Sequence, residues 1–237
     1  MIGWEQLLAS LSDHRRQLDR QVVQLRAAEH VGTIYCKEGC GNCCSLAVNC
    51  SFPEAVAIAM ALDDVQRKQL DTKLPLLRQV STQAEDLKQF LRLFRQQLGG
   101  CPFLDADTAC CTTYSLRPLS CRALLSSRNS NWCAVDFADL HPLEKQAFVS
   151  SLDPELVAFP THYLAASQEL GIELETELLV DMRDCFGVSL SGNLIYQVWL
   201  EAEYRLSEVM TEGFEATLAF LLERELDLPF LLQLQGD

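Results

Sequence analysis

Residues 36–44 read CKEGCGNCC and bring four cysteines and two glycines into nine positions without helical periodicity. A second irregular stretch carries five more cysteines, at positions 101, 110, 111, 121 and 133. Thiolates separated by two to four residues reach a common ion from one turn of chain, and ligands from a distant loop complete the coordination. The two stretches therefore predict a thiolate metal site, for zinc or iron, assembled from two separate segments.

The adjacent pair Cys43 and Cys44 bears on how many ions are bound. Consecutive side chains of an extended backbone point to opposite sides, so a single ion is not expected to take both. The pair supplies two metal centres, bridges them, or includes one thiol that is not a ligand. With about eight suitably spaced cysteines, two four-thiolate sites and one polynuclear site are both stoichiometrically possible.

Two arginines flank Cys121 and are suited to offset the negative charge of a thiolate centre. Four thiolates around a divalent ion carry a net charge near −2. The guanidinium groups of Arg117 and Arg122 can hydrogen-bond sulfur or neighbouring carbonyls and so fix the ligands. We expect both to support the metal site without coordinating the ion.

The sequence on either side of the cysteine stretches has the apolar spacing of amphipathic helices. Trp4, Leu8 and Leu11 begin such a pattern, which predicts a helix over residues 4–29. Pro53, placed where a first helical turn tolerates proline, predicts a second helix from Ser51 to Leu62. Further predicted helices cover Asp63–Val80 with a break or kink at Pro75, Thr82–Leu98, Pro142–Leu152, Pro154–Leu170, Glu175–Cys185, Leu194–Met210 and Phe214–Leu226.

These patterns predict a mainly α fold in which helices surround an irregular, cysteine-rich metal-binding core. We expect one domain over residues 1–237, because a chain of this length can bury a substantial core. Within it lie an N-terminal helix (1–31), the cysteine-cluster region (34–135) and a C-terminal helical region (136–237).

The composition of the chain argues against several classes of partner and of location. The formal charge of −14 argues against a nucleic-acid partner and against attraction to anionic lipid. The longest strongly apolar stretch, Ala55–Leu62, is too short to cross a bilayer, and no secretory signal is visible, so we expect a cytoplasmic protein. Eleven cysteines in a reducing compartment indicate metal ligation or redox chemistry more readily than disulfides.

The spaced blocks resemble the YkgJ-type family of cysteine-cluster proteins, described as zinc- or iron-chelating domains. The blocks that carry the resemblance are Cys36-x3-Cys40-Gly41-x-Cys43-Cys44, Cys101-Pro102-Phe103-Leu104-Asp105, Cys111-x2-Tyr114 and Arg117-Pro118-x2-Cys121-Arg122. The match covers about residues 34–135. The family usually has two residues between its first two cysteines, whereas three stand here.

The resemblance implies a set of metal ligands. They are Cys36, Cys40, Cys43, Cys44, Cys101, Cys111 and Cys121, with Cys133 expected as the eighth. Cys50, Cys110 and Cys185 fall outside it, and Cys185 is predicted to be a core thiol because it stands alone in a helical stretch. The four histidines lie outside the cysteine blocks and are predicted to be surface or core residues.

Three functions follow from this reading. The first is metal binding, with zinc slightly ahead of an iron–sulfur cluster. The second is an enzyme, since the flagellin lysine methylases are similar in carrying this kind of cysteine motif and imply metal-dependent methyl transfer to protein lysine. The third is a metal-stabilised interaction module that binds a protein partner through the N-terminal helix or the hydrophobic C-terminal tracts at 214–222 and 226–232. No catalytic residue can be assigned.

Overall fold

The computed structural model describes residues 2–236. Met1 and Asp237, which the predicted boundaries 1–31 and 1–237 include, lie outside the described residues. The α-helices of the described part are α1 (Ile2–Ala27), α2 (Phe52–Ala59), α3 (Asp64–Gln83), α4 (Leu87–Gln97), α5 (Leu119–Ala123), α6 (Pro142–Ser150), α7 (Ala165–Phe186), α8 (Leu194–Tyr204), α9 (Leu206–Met210) and α10 (Phe214–Glu223). The strands are β1 (Asn49–Ser51), β2 (Val188–Asn193) and β3 (Leu232–Gly236).

The predicted mainly α fold is confirmed, with helices before, between and after the two cysteine stretches. Helices α1 and α4 occupy most of the residues predicted for them. Among residues 2–236, no helix combines the length and the apolar character needed to cross a bilayer.

A small antiparallel sheet, absent from the sequence prediction, anchors the chain on the C-terminal side of the first cysteine stretch. Its strand order is β1-β2-β3, with Cys50 opposite Gly192 and Leu190 opposite Leu234. The C-terminal apolar tract thus ends as a strand of the chain's own sheet. The first cysteine loop is thereby held at one end by β1.

The main core packs α2, α3, α4 and α8 against the sheet, with the rings of Phe52, Phe90 and Tyr196 fully buried. A second apolar cluster joins α1, α5 and α7 through Leu18, Leu119 and Leu178. Helix α5, which carries Cys121, therefore lies against both α1 and α7.

Gly171 on α7 is required for the close approach of α5. A Cβ atom at this position would lie 2.7 Å from the Cβ of Ala123. Such a separation is shorter than two carbon atoms allow, so any side chain here would push away the helix that carries Cys121.

Helix α3 runs through Pro75 without a break, and Pro75 lies inside it. Two other sequence predictions about helices are wrong. The helices predicted at Pro154–Leu170 and Glu175–Cys185 are one helix, α7, because the chain is helical without interruption from Ala165 to Phe186. Residues 154–164 form turns, bends and bridges instead of helix. The helix predicted at Leu194–Met210 divides into α8 and α9 at Arg205, whose φ of 50° is left-handed.

Glu54 connects the starts of two helices. Its Oε2 accepts hydrogen bonds from the Ser51 backbone N–H (2.9 Å) and hydroxyl (2.8 Å), which caps α2. Its Oε1 accepts from the backbone N–H of Leu119 (2.7 Å), the first residue of α5. This fully buried carboxylate joins the segment after the first cysteine stretch to the helix that carries Cys121.

We predict that Glu54→Gln lowers the free energy of unfolding by about 2 kcal/mol or more, because donors that face the carboxylate lose a charged acceptor in a buried site. Urea unfolding measures the effect. The matched control is Glu85→Gln at an exposed position, expected to change stability by no more than about 0.5 kcal/mol. Equal losses in the two variants would contradict the assigned role of Glu54.

Candidate metal centre

The first cysteine loop turns tightly and presses against the second. A 3-10 turn over Asn42–Ser45 carries Cys43 and Cys44. Gly41 precedes it and packs against Leu104, whose side chain would have to shift if Gly41 carried a Cβ, since that atom would lie 2.9 Å from Cδ1 of Leu104. The backbone N–H of Cys101 donates to the carbonyl of Cys44 (2.9 Å), so the two cysteine segments are joined directly.

The second segment presents Cys111 on a narrow hairpin. Leu104 and Cys111 form an antiparallel bridge. At its tip, Oδ1 of Asp105 accepts from the backbone N–H of Asp107 (3.1 Å) and of Thr108 (2.8 Å). Asp105 is therefore the turn residue of the hairpin.

The eight predicted ligands line two contiguous cavities, which we call the inner and the outer cavity. The inner cavity has a volume of about 360 Å³ and is lined by Cys40, Cys43, Cys44, Cys101, Cys111 and Cys121. The outer cavity has a volume of about 500 Å³ and is lined by Cys36, Cys40, Cys43, Cys121 and Cys133. Three cysteines, Cys40, Cys43 and Cys121, line both, so the two cavities adjoin.

The adjacent pair does not behave as an extended backbone predicts. The side chains of Cys43 and Cys44 hydrogen-bond each other, because the 3-10 turn places them on the same side. The expectation that they diverge was wrong.

Within residues 2–236, no three histidine, cysteine, aspartate or glutamate side chains are near enough to one another to hold an ion as they stand. The cysteines thus line adjoining cavities without being arranged around an ion. The chemistry of the donor set nevertheless fits zinc or iron, because clustered soft sulfur ligands select these metals over magnesium or calcium.

Burial keeps the thiols of Cys101 and Cys121 protonated. It raises the pKa of Cys101 to about 12 and that of Cys121 well above its ordinary range, and neighbouring cysteines raise both further. The hydrogen bond with Cys44, followed by burial, raises the pKa of Cys43. The positive charge of Arg117 opposes the rise in pKa at Cys43 and Cys121. Ligation of a metal ion by these thiols must therefore release protons.

The two predicted supporting arginines occupy different places. Arg117 lines both cavities, and its guanidinium lies 3.7 Å from the ring centroid of Tyr114. Arg122 is buried and donates to both carboxylate oxygens of Asp19 (2.8 Å each) and to the carbonyls of Ser115 and Arg117. It thereby fastens α1 to the turn that leads into α5.

The remaining cysteines line neither cavity. Cys50 is buried on β1, where its carbonyl accepts from Nε2 of Gln197 (2.9 Å). Cys110 is half-buried beside Gly39. Cys185 is exposed on α7, so the prediction of a core thiol was wrong.

His162 and Tyr163, which sequence reasoning did not connect with the site, contact Cys133. The sulfur of Cys133 lies 3.4 Å from Nε2 of the buried His162 and hydrogen-bonds the hydroxyl of Tyr163. Burial, followed by the charge of Arg128, lowers the pKa of His162 to about 4, so its imidazole is neutral. No spacing pattern links positions so far apart in the chain.

Glu175 also lies in the wall of the inner cavity without having been predicted there. Its Oε1 is buried and has no hydrogen-bond partner among the described residues. Burial, followed by the negative charge of Glu54, raises the pKa of Glu175 to about 8. At neutral pH the group therefore retains a proton.

This proton gives folding a pH dependence. Between the ordinary carboxyl pKa of 4.5 and about 8, folded Glu175 holds a proton that the unfolded chain releases. Stability from this group is therefore lost as the pH rises through that window and is constant above it. We predict that Glu175→Gln flattens the profile between pH 5 and pH 8, measured by urea unfolding.

The exposed Glu173→Gln on the same helix is the control for this prediction and is expected to keep the wild-type slope. Parallel profiles for the wild type and Glu175→Gln would show that Glu175 does not titrate in this range.

A family model described as "CxxCxxCC: Putative zinc- or iron-chelating domain" matches residues 35–138. The resemblance predicted for residues 34–135 is thus confirmed at nearly the same boundaries. No curated protein and no solved structure was found to be similar to the chain. His162, Tyr163 and Glu175 lie beyond the matched segment.

Proposed function

We propose that this chain, whose residues 35–138 match a zinc- or iron-chelating domain, is a metal-binding protein that holds its metal with the thiolates of both cysteine stretches. The observation that carries the proposal is that cysteines of both stretches line the same two adjoining cavities. The ligands are Cys36, Cys40, Cys43, Cys44, Cys101, Cys111, Cys121 and Cys133.

The distribution of the thiols supports more than one ion. Cys101 and Cys111 line the inner cavity alone, whereas Cys36 and Cys133 line the outer cavity alone. Cys43 lines both and hydrogen-bonds Cys44. Two neighbouring ions that share Cys43 and Cys44, or one polynuclear centre around this pair, use all the thiols. Neither arrangement requires a single ion to bind the cysteines of both the inner and the outer cavity.

Zinc is the metal that we place first. It accepts four thiolates and is inert to redox chemistry, which suits a permanent link between two loops. An iron–sulfur cluster remains the alternative, since all-cysteine ligation and the adjacent pair suit it as well. With either metal, the charge of Arg117 compensates the thiolates, while Arg122 holds the loop that precedes Cys121.

A second candidate function is a cluster-dependent enzyme, and the inner cavity favours it. Beyond its cysteines this cavity is walled by apolar groups such as Phe94, Phe103 and Leu194. Its volume of about 360 Å³ lies within the range of small-molecule sites, about 300–1,000 Å³. By resemblance to the flagellin lysine methylases, the reaction is methyl transfer to protein lysine. Calorimetric titration of the metal-loaded protein with S-adenosylmethionine tests this, and the absence of a heat of binding argues against it.

The elements expected to bind a partner in the third hypothesis pack against the chain itself. Helix α1 buries Leu11 and Leu18 beneath α5 and α7, and the C-terminal tract buries Leu226 and Leu231 in the main core. No observation on the described residues favours an interaction module over metal binding.

We predict that Cys121→Ser reduces bound metal, because this sulfur lines both cavities on a helix held by Glu54 and Arg122. Metal content per chain and competition with a chelator measure the loss, expected to be at least about 10-fold in affinity. Cys185→Ser, at an exposed cysteine outside the cavities, is the matched control and should bind as the wild type does. Wild-type metal content in Cys121→Ser would exclude this ligand set.

We also predict that removal of the metal lowers the melting temperature of the whole protein. A segment of 56 residues, most of them in α2, α3 and α4, separates Cys44 from Cys101, and closing such a loop costs conformational entropy. Structural zinc contributes on the order of 10 kcal/mol, which would offset that cost. Calorimetry before and after chelation measures the change, and identical melting curves would contradict a structural role for the metal.

A further inference from the structure

Two short segments from different parts of the chain are paired beside the outer cavity. Ser126 and Tyr163 form an isolated antiparallel bridge. The N–H of Ser127 donates to the carbonyl of His162 (3.0 Å), and that of Leu164 donates to the carbonyl of Leu125 (2.9 Å). We call these segments, residues 125–127 and 162–164, the bridge pair. Their pairing fixes which side chains face the cysteines.

The bridge pair directs three hydrogen-bonding groups at two sulfurs. The backbone N–H of Ser126 donates to Sγ of Cys36 (3.1 Å). Nε2 of His162 lies 3.4 Å from Sγ of Cys133, and the Tyr163 hydroxyl hydrogen-bonds the same side chain. The neutral imidazole can carry its one N–H on Nε2 and donate it to sulfur.

Neighbouring groups hold this arrangement in place. The ring of His162 lies 4.2 Å from the ring of Tyr163 and 5.7 Å, edge to face, from that of Phe148, measured between centroids. Nη2 of Arg95 on α4 donates to the carbonyl of Cys133 (2.8 Å). The imidazole and the cysteine backbone are thus both fixed before any ligand binds.

The position of the cavity distinguishes a hydrogen-bond donor from a metal ligand. Cys36 and Cys133 line the outer cavity, whereas His162 and Tyr163 line neither cavity. His162 and Tyr163 are therefore not part of the wall that Cys36 and Cys133 share in the outer cavity.

We propose that His162 and Tyr163 are positioning residues of the metal centre, which hold the sulfur of Cys133 by hydrogen bonds in the orientation that ligation requires. The inference rests on the proposed metal-binding function and extends it to residues outside the segment that matches the family model. Such donors take up part of the negative charge of a metal-bound thiolate and fix its direction.

Titration with Co²⁺ alone tests the inference, because thiolate-to-metal charge-transfer absorption reports both affinity and the number of sulfur ligands. His162→Phe keeps a ring between Phe148 and Tyr163 but removes the donor, and Tyr163→Phe removes only the hydroxyl. We expect each to weaken binding by about 10-fold or more with the same charge-transfer intensity at saturation. His162→Gln, which can still donate an N–H, is expected to restore most of the affinity.

The control variant is His30→Phe at an exposed site, expected to bind as the wild type does. Wild-type affinity in both His162→Phe and Tyr163→Phe, with unchanged apoprotein melting curves, would overturn the inference while leaving the metal site in place. Equal loss in His162→Gln and His162→Phe, with shifted visible bands, would overturn it by making the imidazole a ligand. A wild-type protein that binds no Co²⁺ or iron would instead remove the proposed function itself.

Discussion

The site depends first on a buried carboxylate. Glu54 accepts hydrogen bonds at the start of α2 from Ser51 and at the start of α5 from Leu119, and so holds together segments that are far apart in the sequence. Burial raises the pKa of Glu54, and the three donors and the nearby positive charge of Arg15 oppose that rise. Helix α5 can then bring Cys121 to the space that the first cysteine loop faces.

Around this link, the loops supply ligands and the helices supply rigidity. The hydrogen bond from Cys101 to the carbonyl of Cys44 and the missing side chain at Gly41 bring the loops into contact. Burial raises the pKa of Cys101 and of Cys121 above the ordinary range, and the charge of Arg117 only partly opposes the rise at Cys121. A divalent cation supplies the charge that such a cluster lacks, which gives metal binding its physical basis.

Sequence patterns predicted the parts of the fold that depend on local periodicity. The apolar spacing of α1 and the Ser51–Glu54 start of α2 are local signals, and both helices form where they were expected. Tertiary packing decided the rest. Helix α3 contains Pro75 in its interior. Residues 162–164 pair with residues 125–127 instead of forming the predicted helix. Strand β3 pairs with a strand some forty residues earlier. The eight cysteines implied as ligands by the family resemblance all line the cavities. The sequence carried no information on His162 or Glu175, whose places depend on distant contacts.

The thiolate metal site is tested most directly by metal analysis, with an absorption spectrum and thiol titration, on protein purified without oxygen. We expect at least one equivalent of zinc, or of iron with sulfide and charge-transfer bands, and most of the eleven thiols protected until a chelator is added. Metal-free protein that takes up neither zinc nor iron, and whose cysteines react alike before and after chelation, would contradict this expectation.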